Sequence, residues 1–259
     1  MKIKFIFKSV FFLILFIVIF ICQITAEQIH LLCVSYAPND SIKLQQLSKI
    51  DSIIVQDQNV IIVSPQKQKF INCENLISIF TPQIFSEISD TDIVHKHARN
   101  IITSNLKWNN RKNGIEFIQS KVITLSDSLK IGFMGILTPD LPFLYPALFT
   151  SNDEFKFRFG IFDCAREEVD SLKNQKVDFI ISLNYLGNFL DEELLRKVPE
   201  IDFVIDCFEN DIKEYYRNFH QNNILHVDFK QALITKVGLY LHRNKPNQVV
   251  IDSLELKIN

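Results

Sequence analysis

No charge of one sign dominates this chain. Its 28 Lys and Arg stand against 30 Asp and Glu, so no basic face is implied and a nucleic-acid partner lacks electrostatic support. Cysteine is sparse and scattered, at Cys22, Cys33, Cys73, Cys164 and Cys207, a spacing that excludes a zinc ribbon and any CxxC redox pair. The general catalytic signatures are missing too: there is no P-loop, GxGxxG turn, GxSxG elbow or HExxH helix. Internal repeats and low-complexity linkers are absent. What remains is a chain of 259 residues, 47% of them hydrophobic, enough for a substantial core as one large domain or two small ones. The 23 Phe accompany frequent Ile, Asn and Lys and read as compositional bias rather than as a binding surface.

The N-terminus carries the clearest local signal. Lys2, Lys4 and Lys8 precede residues 10–22, a run of thirteen without a charge, and Ala26 is a small residue at a cleavage point before Glu27. The run is short for a membrane span. Residues 1–26 are therefore read as a secretory signal peptide. An uncleaved anchor is the alternative, because Ile24 fits the cleavage pattern poorly. Cleavage leaves a net charge of about −5 on residues 27–259 and sends them to the exterior or the endomembrane lumen. Membrane contact is expected only if the segment stays attached. Four cysteines then remain in an oxidising route, enough for two disulfides, and spacing does not choose among the three pairings. Asn39-Asp40-Ser41 is the only glycosylation sequon, which puts Asn39 in an expected loop.

Beyond the leader, strand and helix patterns alternate. Residues 29–34 (IHLLCV), 60–63 (VIIV), 101–102, 178–183 (DFIISL), 201–205 and 224–227 read as short buried strands, punctuated by Pro38-Asn39-Asp40 and Ser64-Pro65. Residues 121–125 and 130–135 flank Ser126-Asp127-Ser128 as a hairpin, and 234–242 and 249–256 carry further β patterns. Ser41 caps a helix bearing Ile42, Leu44, Leu47 and Ile50, and 84–98 is another helix candidate. Phe162, Ala165, Val169 and Leu172 fall at helical spacing, and 191–198 forms a short helix. The alternation predicts one α/β domain with a mixed central sheet. The strands ending at Leu183 and Ile205 are expected to be neighbours, joined by the helix around 191–198.

Candidate chemistry is thin when read residue by residue. His95 and His97 are two apart, so on a helix they point to different faces and a solvated surface is the simpler reading. His30 sits in an apolar strand and reads as structural. Asp206, Cys207 and Glu209 follow an apolar run, but adjacent strand residues point to opposite sides. They converge only in a loop, and taken alone they are a polar strand end.

The order of the segments adds a resemblance. KIGFMGILTP (130–139), DFIISLNYLGNFLD (178–191) and VPEIDFVID (198–206) resemble the calcineurin-like metallophosphoesterase domain of the secreted 5′-nucleotidase family. Weaker matches lie at 29–38, 59–67 and NIITSNL (100–106), so the resemblance runs from about residue 29 to the end and is strongest over 130–206. It implies an α/β (α+β) four-layer fold, a mixed β-sandwich flanked by helices, with two divalent metals at the strand ends. It also implies ligand positions that this sequence fills differently. Tyr36 and Pro38 stand where the family has Asp-x-His, and Gln66-Lys67 where it has Gly-Asp, whose Asp bridges the metals. Tyr185 replaces the His of Ser-His-Leu-Gly within Asn184-Tyr185-Leu186-Gly187. Phe208 and Asn210 replace the two His of Gly-Gly-His-x-His. The Asn-His-Glu loop is either deleted or survives as Asn72-Cys73-Glu74, without its His.

These replacements remove the anionic and imidazole ligands that hold two cations and activate water. An ammonium at Lys67 repels cations and attracts an anion instead. The expectation is a secreted, 5′-nucleotidase-like pseudoenzyme without catalytic residues or metal cofactor, serving as a binding or structural protein whose partner the sequence does not name. One alternative is a metal-dependent phosphohydrolase whose ligands have moved to Asp206, Glu209 and His226. The other is a membrane-anchored structural subunit. The family's separate C-terminal nucleotide-binding domain is expected to be absent, the chain ending at Asn259. The family fold also brings Cys33 and Cys207 toward the former metal site, which implies a disulfide between them.

Overall fold

The computed structural model describes residues 27–34, 60–64, 76–79, 101–110, 115–125, 129–146, 149, 155–208, 223–227, 233–241, 248–249 and 254–257. Along the chain these form β1 (Glu27–Val34), β2 (Val60–Ser64), β3 (Leu76–Ile79), β4 (Ile101–Ile102), β5 (Leu106–Asn110), β6 (Ile115–Glu116), β7 (Ser120–Thr124) and β8 (Lys130–Leu137). The short helix α1 (Leu141–Leu144), β9 (Phe155–Phe157), α2 (Ile161–Asn174), β10 (Phe179–Tyr185), α3 (Asn188–Lys197) and β11 (Phe203–Asp206) follow. The chain continues through β12 (Ile224–His226), β13 (Leu233–Leu241), β14 (Gln248–Val249) and β15 (Leu254–Lys257). The leader, the sequon at Asn39, and the helices expected after Ser41 and over 84–98 lie outside the described residues.

Two large sheets carry the fold. The first has the order β14-β13-β1-β2-β3-β4, with β15 also on β13. Strands β1 to β4 are parallel, and β13 lies antiparallel to β1. The second has the order β12-β11-β10-β8-β7, parallel except for β7. A small antiparallel sheet, β6-β5-β9, completes the set. The expected neighbours β10 and β11 pair in parallel, with Leu183 opposite Ile205, and α3 connects them. The hairpin of β7 and β8 is also present.

The mixed central sheet read from the alternation is two sheets, as the β-sandwich implied by the resemblance requires, and the reason lies in burial. All seven residues of β10 and all five of β2 are buried, so both sheets need cover on both faces. Ile29, Leu31, Ile61 and Val63 of the first sheet share one core with Phe133, Phe179, Ile181, Leu183, Phe203 and Ile205 of the second. The opposite face of the second sheet, with Ile180, Val204 and Ile224, packs under α2 and α3 through Ala165, Val169, Leu172 and Leu194. The small sheet was not read from sequence, because LKWNN lacks alternation and its partners span only two and three residues. Among the described residues no helix is long and apolar enough to cross a membrane.

The two sheets are joined where β4 ends. Asn105 donates its amide to the carbonyl of Leu137 (2.8 Å) and accepts from the Leu137 N–H (2.9 Å), so a side chain stands in for a strand partner. Ser104 donates from its backbone to the Gly135 carbonyl at 2.6 Å, and its hydroxyl accepts from the Gly135 N–H at 3.2 Å. Gly135 is required there, since a Cβ would stand 2.4 Å from the carbonyl oxygen of Ile102. Gly135→Ala is expected to lower unfolding free energy by about 1–3 kcal/mol through overpacking, measured by urea denaturation.

Candidate functional site at the carboxyl ends of the strands

In open α/β sheets the functional edge lies past the carboxyl ends of the parallel strands. Here that edge is formed by Leu137, Tyr185, Asp206 and His226, the last residues of β8, β10, β11 and β12. Alternation divides the edge into two environments. Tyr185 and Cys207 continue the inner face and belong to the core between the sheets. Asn184, Asp206 and His226 are paired in register across β10, β11 and β12, on the face that carries the helices.

On the helical side these groups make a buried polar network. Ser182 donates its hydroxyl to Asn184 Oδ1 (2.6 Å), and Asn184 Nδ2 donates to Asp191 Oδ1 (2.7 Å). Asp191 lies in the first turn of α3. It is delivered by Gly187, whose φ of 86° is disfavoured for residues with a Cβ and whose carbonyl accepts from the Leu190 and Asp191 N–H groups. Asp206 Oδ1 accepts from the backbone N–H groups of Leu186 and Phe208, both at 3.2 Å, and Oδ2 lies 2.9 Å from His226 Nδ1. Asp191, Asp206 and His226 each bring one potential ligand atom to within 4.8 Å of the others. Exposures are 0%, 1% and 9%, so this is interior rather than cleft. Burial and then the Asp206 carboxylate push the Asp191 carboxyl well above its ordinary range, against the opposing hydrogen bond from Asn184.

On the inner side the edge is aromatic. Tyr185 is buried in the shared core, and its ring meets that of Phe208 at 4.8 Å between centroids and 54° between planes. Cys207 beside it is buried and donates its thiol to the Asn184 carbonyl at 3.1 Å. The expected Cys33–Cys207 disulfide is absent: Cys33, Cys164 and Cys207 all carry thiols. Cys33 is fixed within β1 of the first sheet, and the Cys207 thiol is engaged at the end of the second. Burial pushes the Cys33 thiol up to about 12.

Two of the three proposed relocated ligands, Asp206 and His226, do come together. Their third partner is Asp191, while Glu209 lies outside the described residues, as do Tyr36, Pro38, Lys67 and Asn210. The sequence reading names Asp191 only as the start of a short helix, and an acidic residue in a first turn carries no signal beyond its favourable place in the helix dipole.

No protein-family model and no curated protein matches the sequence. Solved structures do. The chain is similar to a calcineurin-like phosphoesterase from Bacillus subtilis, with a TM-score of 0.56 and 14% identity over 90% of each chain. It is similar to NAD nucleotidase from Haemophilus influenzae at a TM-score of 0.59 and 12% identity, over 90% of this chain and 51% of that one. For a putative 5′-nucleotidase from Staphylococcus aureus the values are 0.57 and 12%, over 90% and 55%. The chain therefore spans about half the length of these two nucleotidases. At such identities the likeness establishes the fold, which is the calcineurin-like phosphoesterase fold.

Two measurements follow from the two faces of the edge. Tyr185→Ala is expected to cost about 3–5 kcal/mol of stability. A double-mutant cycle with Phe208→Ala should return a coupling of about 0.5–1.5 kcal/mol, read from denaturant unfolding. In native protein at pH 8, alkylation of Cys33 should run at least about a hundredfold slower than in guanidinium, followed by peptide mass spectrometry.

Proposed function

We propose that this chain is a phosphoesterase-fold protein that has lost the dinuclear metal centre and acts in the secretory route or outside the cell as a non-catalytic binding or structural component. The observation that carries this reading is the buried contact between Tyr185 and Phe208. In the 5′-nucleotidase resemblance these positions belong to imidazole ligands at the ends of adjacent strands. A phenol and a phenyl ring packed together and continuous with the core fill that place with apolar surface. A pair of ions about 3.5–4 Å apart needs anionic or imidazole ligands from several strand ends, which these rings do not supply. The aromatic pair at these two positions is what supports reading the two-metal centre as lost.

A second reading keeps metal-dependent hydrolysis with relocated ligands, and the convergence of Asp206 and His226 is what favours it. Burial weighs against it. The cluster lies under α3 on the helical face, with no described surface on which a phosphate ester could meet it. The named neighbours include nucleotidases, and their substrates are theirs; among the described residues of this edge none selects a nucleotide.

The test is a phosphate-release assay of the purified chain on several nucleotides and an aryl phosphate, with zinc, manganese, magnesium and calcium supplied in turn. Release indistinguishable from a heat-inactivated control is expected with every ion. Metal-dependent turnover that survives further purification and is lost in Asp206→Ala would overturn the reading.

A further inference from the structure

We propose that Asp191, Asp206 and His226 bind a single divalent cation of the zinc or manganese class, a structural site that pins the first turn of α3 to the ends of β11 and β12. This site is separate from the two-metal centre of the phosphoesterase resemblance, and its existence does not depend on whether that centre is lost.

Three observations carry it. The ligand atoms come from three separate elements and lie within 4.8 Å of one another. Donors bound at about 2.0–2.2 Å in a tetrahedron lie about 3.3–3.6 Å apart, so the widest pair has to close by roughly an ångström, a side-chain rotation rather than a change of backbone. Next, Asp191 Oδ2 is fully buried and accepts from no protein hydrogen-bond donor, although its partner oxygen is held by Asn184. Two carboxyl groups buried side by side cannot both ionise unless a cation neutralises them, and a divalent ion is a group that suits the pair. Finally, the charges close: two carboxylates and a neutral imidazole balance one divalent ion in a place with almost no solvent.

Donor chemistry narrows the ion. Two carboxylate oxygens and one imidazole nitrogen suit zinc and manganese better than a soft ion. The surrounding hydrogen bonds are those of a supported metal ligand. Leu186 and Phe208 orient Asp206 through Oδ1, and Asn184, itself held by Ser182, orients Asp191 through Oδ1. Each leaves its second oxygen directed into the cluster. Three protein donors leave one tetrahedral position for a water.

The experiment uses the full chain, stripped with a chelator and then titrated with zinc, manganese and cobalt. Metal content by mass spectrometry should approach one ion per chain. The cobalt form should show visible d–d absorption without a thiolate charge-transfer band, which separates this site from adventitious cysteine binding. Asp191→Asn keeps the contact from Asn184 and should weaken binding at least about tenfold. His226→Gln provides a second arm should that variant fail to fold. Wild-type protein retaining less than a tenth of an ion per chain at saturating zinc and manganese would overturn the proposal and leave protons as the neutralising charge. Equal binding by wild type and both variants would overturn it as well.

Discussion

A carboxylate that folding removes from water has to find its partners inside the protein, and Asp206 is where this structure meets that demand. Its Oδ1 takes the backbone N–H groups of Leu186 and Phe208, its Oδ2 lies 2.9 Å from His226 Nδ1, and its carbonyl accepts from Val227. One residue therefore fixes the turn after β10, the turn after β11 and the end of β12. An unpaired buried charge costs several kcal/mol, whereas each hydrogen bond made contributes only about 1–3 kcal/mol net. The arrangement is held in place mainly by the penalty for breaking it.

The same strand ends have two separate characters because side chains alternate. Residues one position apart, such as Asn184 and Tyr185, enter different environments: a polar network under the helices and an apolar wall between the sheets. Here the aromatic contact is continuous with the core, and the polar groups are enclosed behind it.

Much of the architecture is legible in the sequence because buried parallel strands announce themselves as unbroken apolar runs. VIIV and DFIISL are short, apolar and ended by turn formers, and both were placed within two residues of their observed limits. The neighbour relation of β10 and β11 follows from the short helical pattern between them. The division into two sheets was not legible residue by residue, since an apolar strand looks the same whether its cover is a helix or another sheet; the family resemblance supplied the sandwich. In the candidate site, register made the difference. Asp206 and His226 are twenty residues apart in sequence and adjacent in the sheet. Asp191 joins them only through the turn at Gly187, which no periodicity reveals.

The strand pairing also sets a timetable for synthesis. Glu27 lies opposite Leu241 and Val34 opposite Ile234, so the first described strand is flanked by one of the last. During translation β1 can find β2 early, but its other edge stays bare until some two hundred further residues have left the ribosome. The second sheet, whose parallel members β8, β10, β11 and β12 all precede β13 in the chain, can consolidate beforehand. A bare apolar edge is a site for pairing with the wrong chain. Emergence of β13 is thus the event that covers this edge of β1.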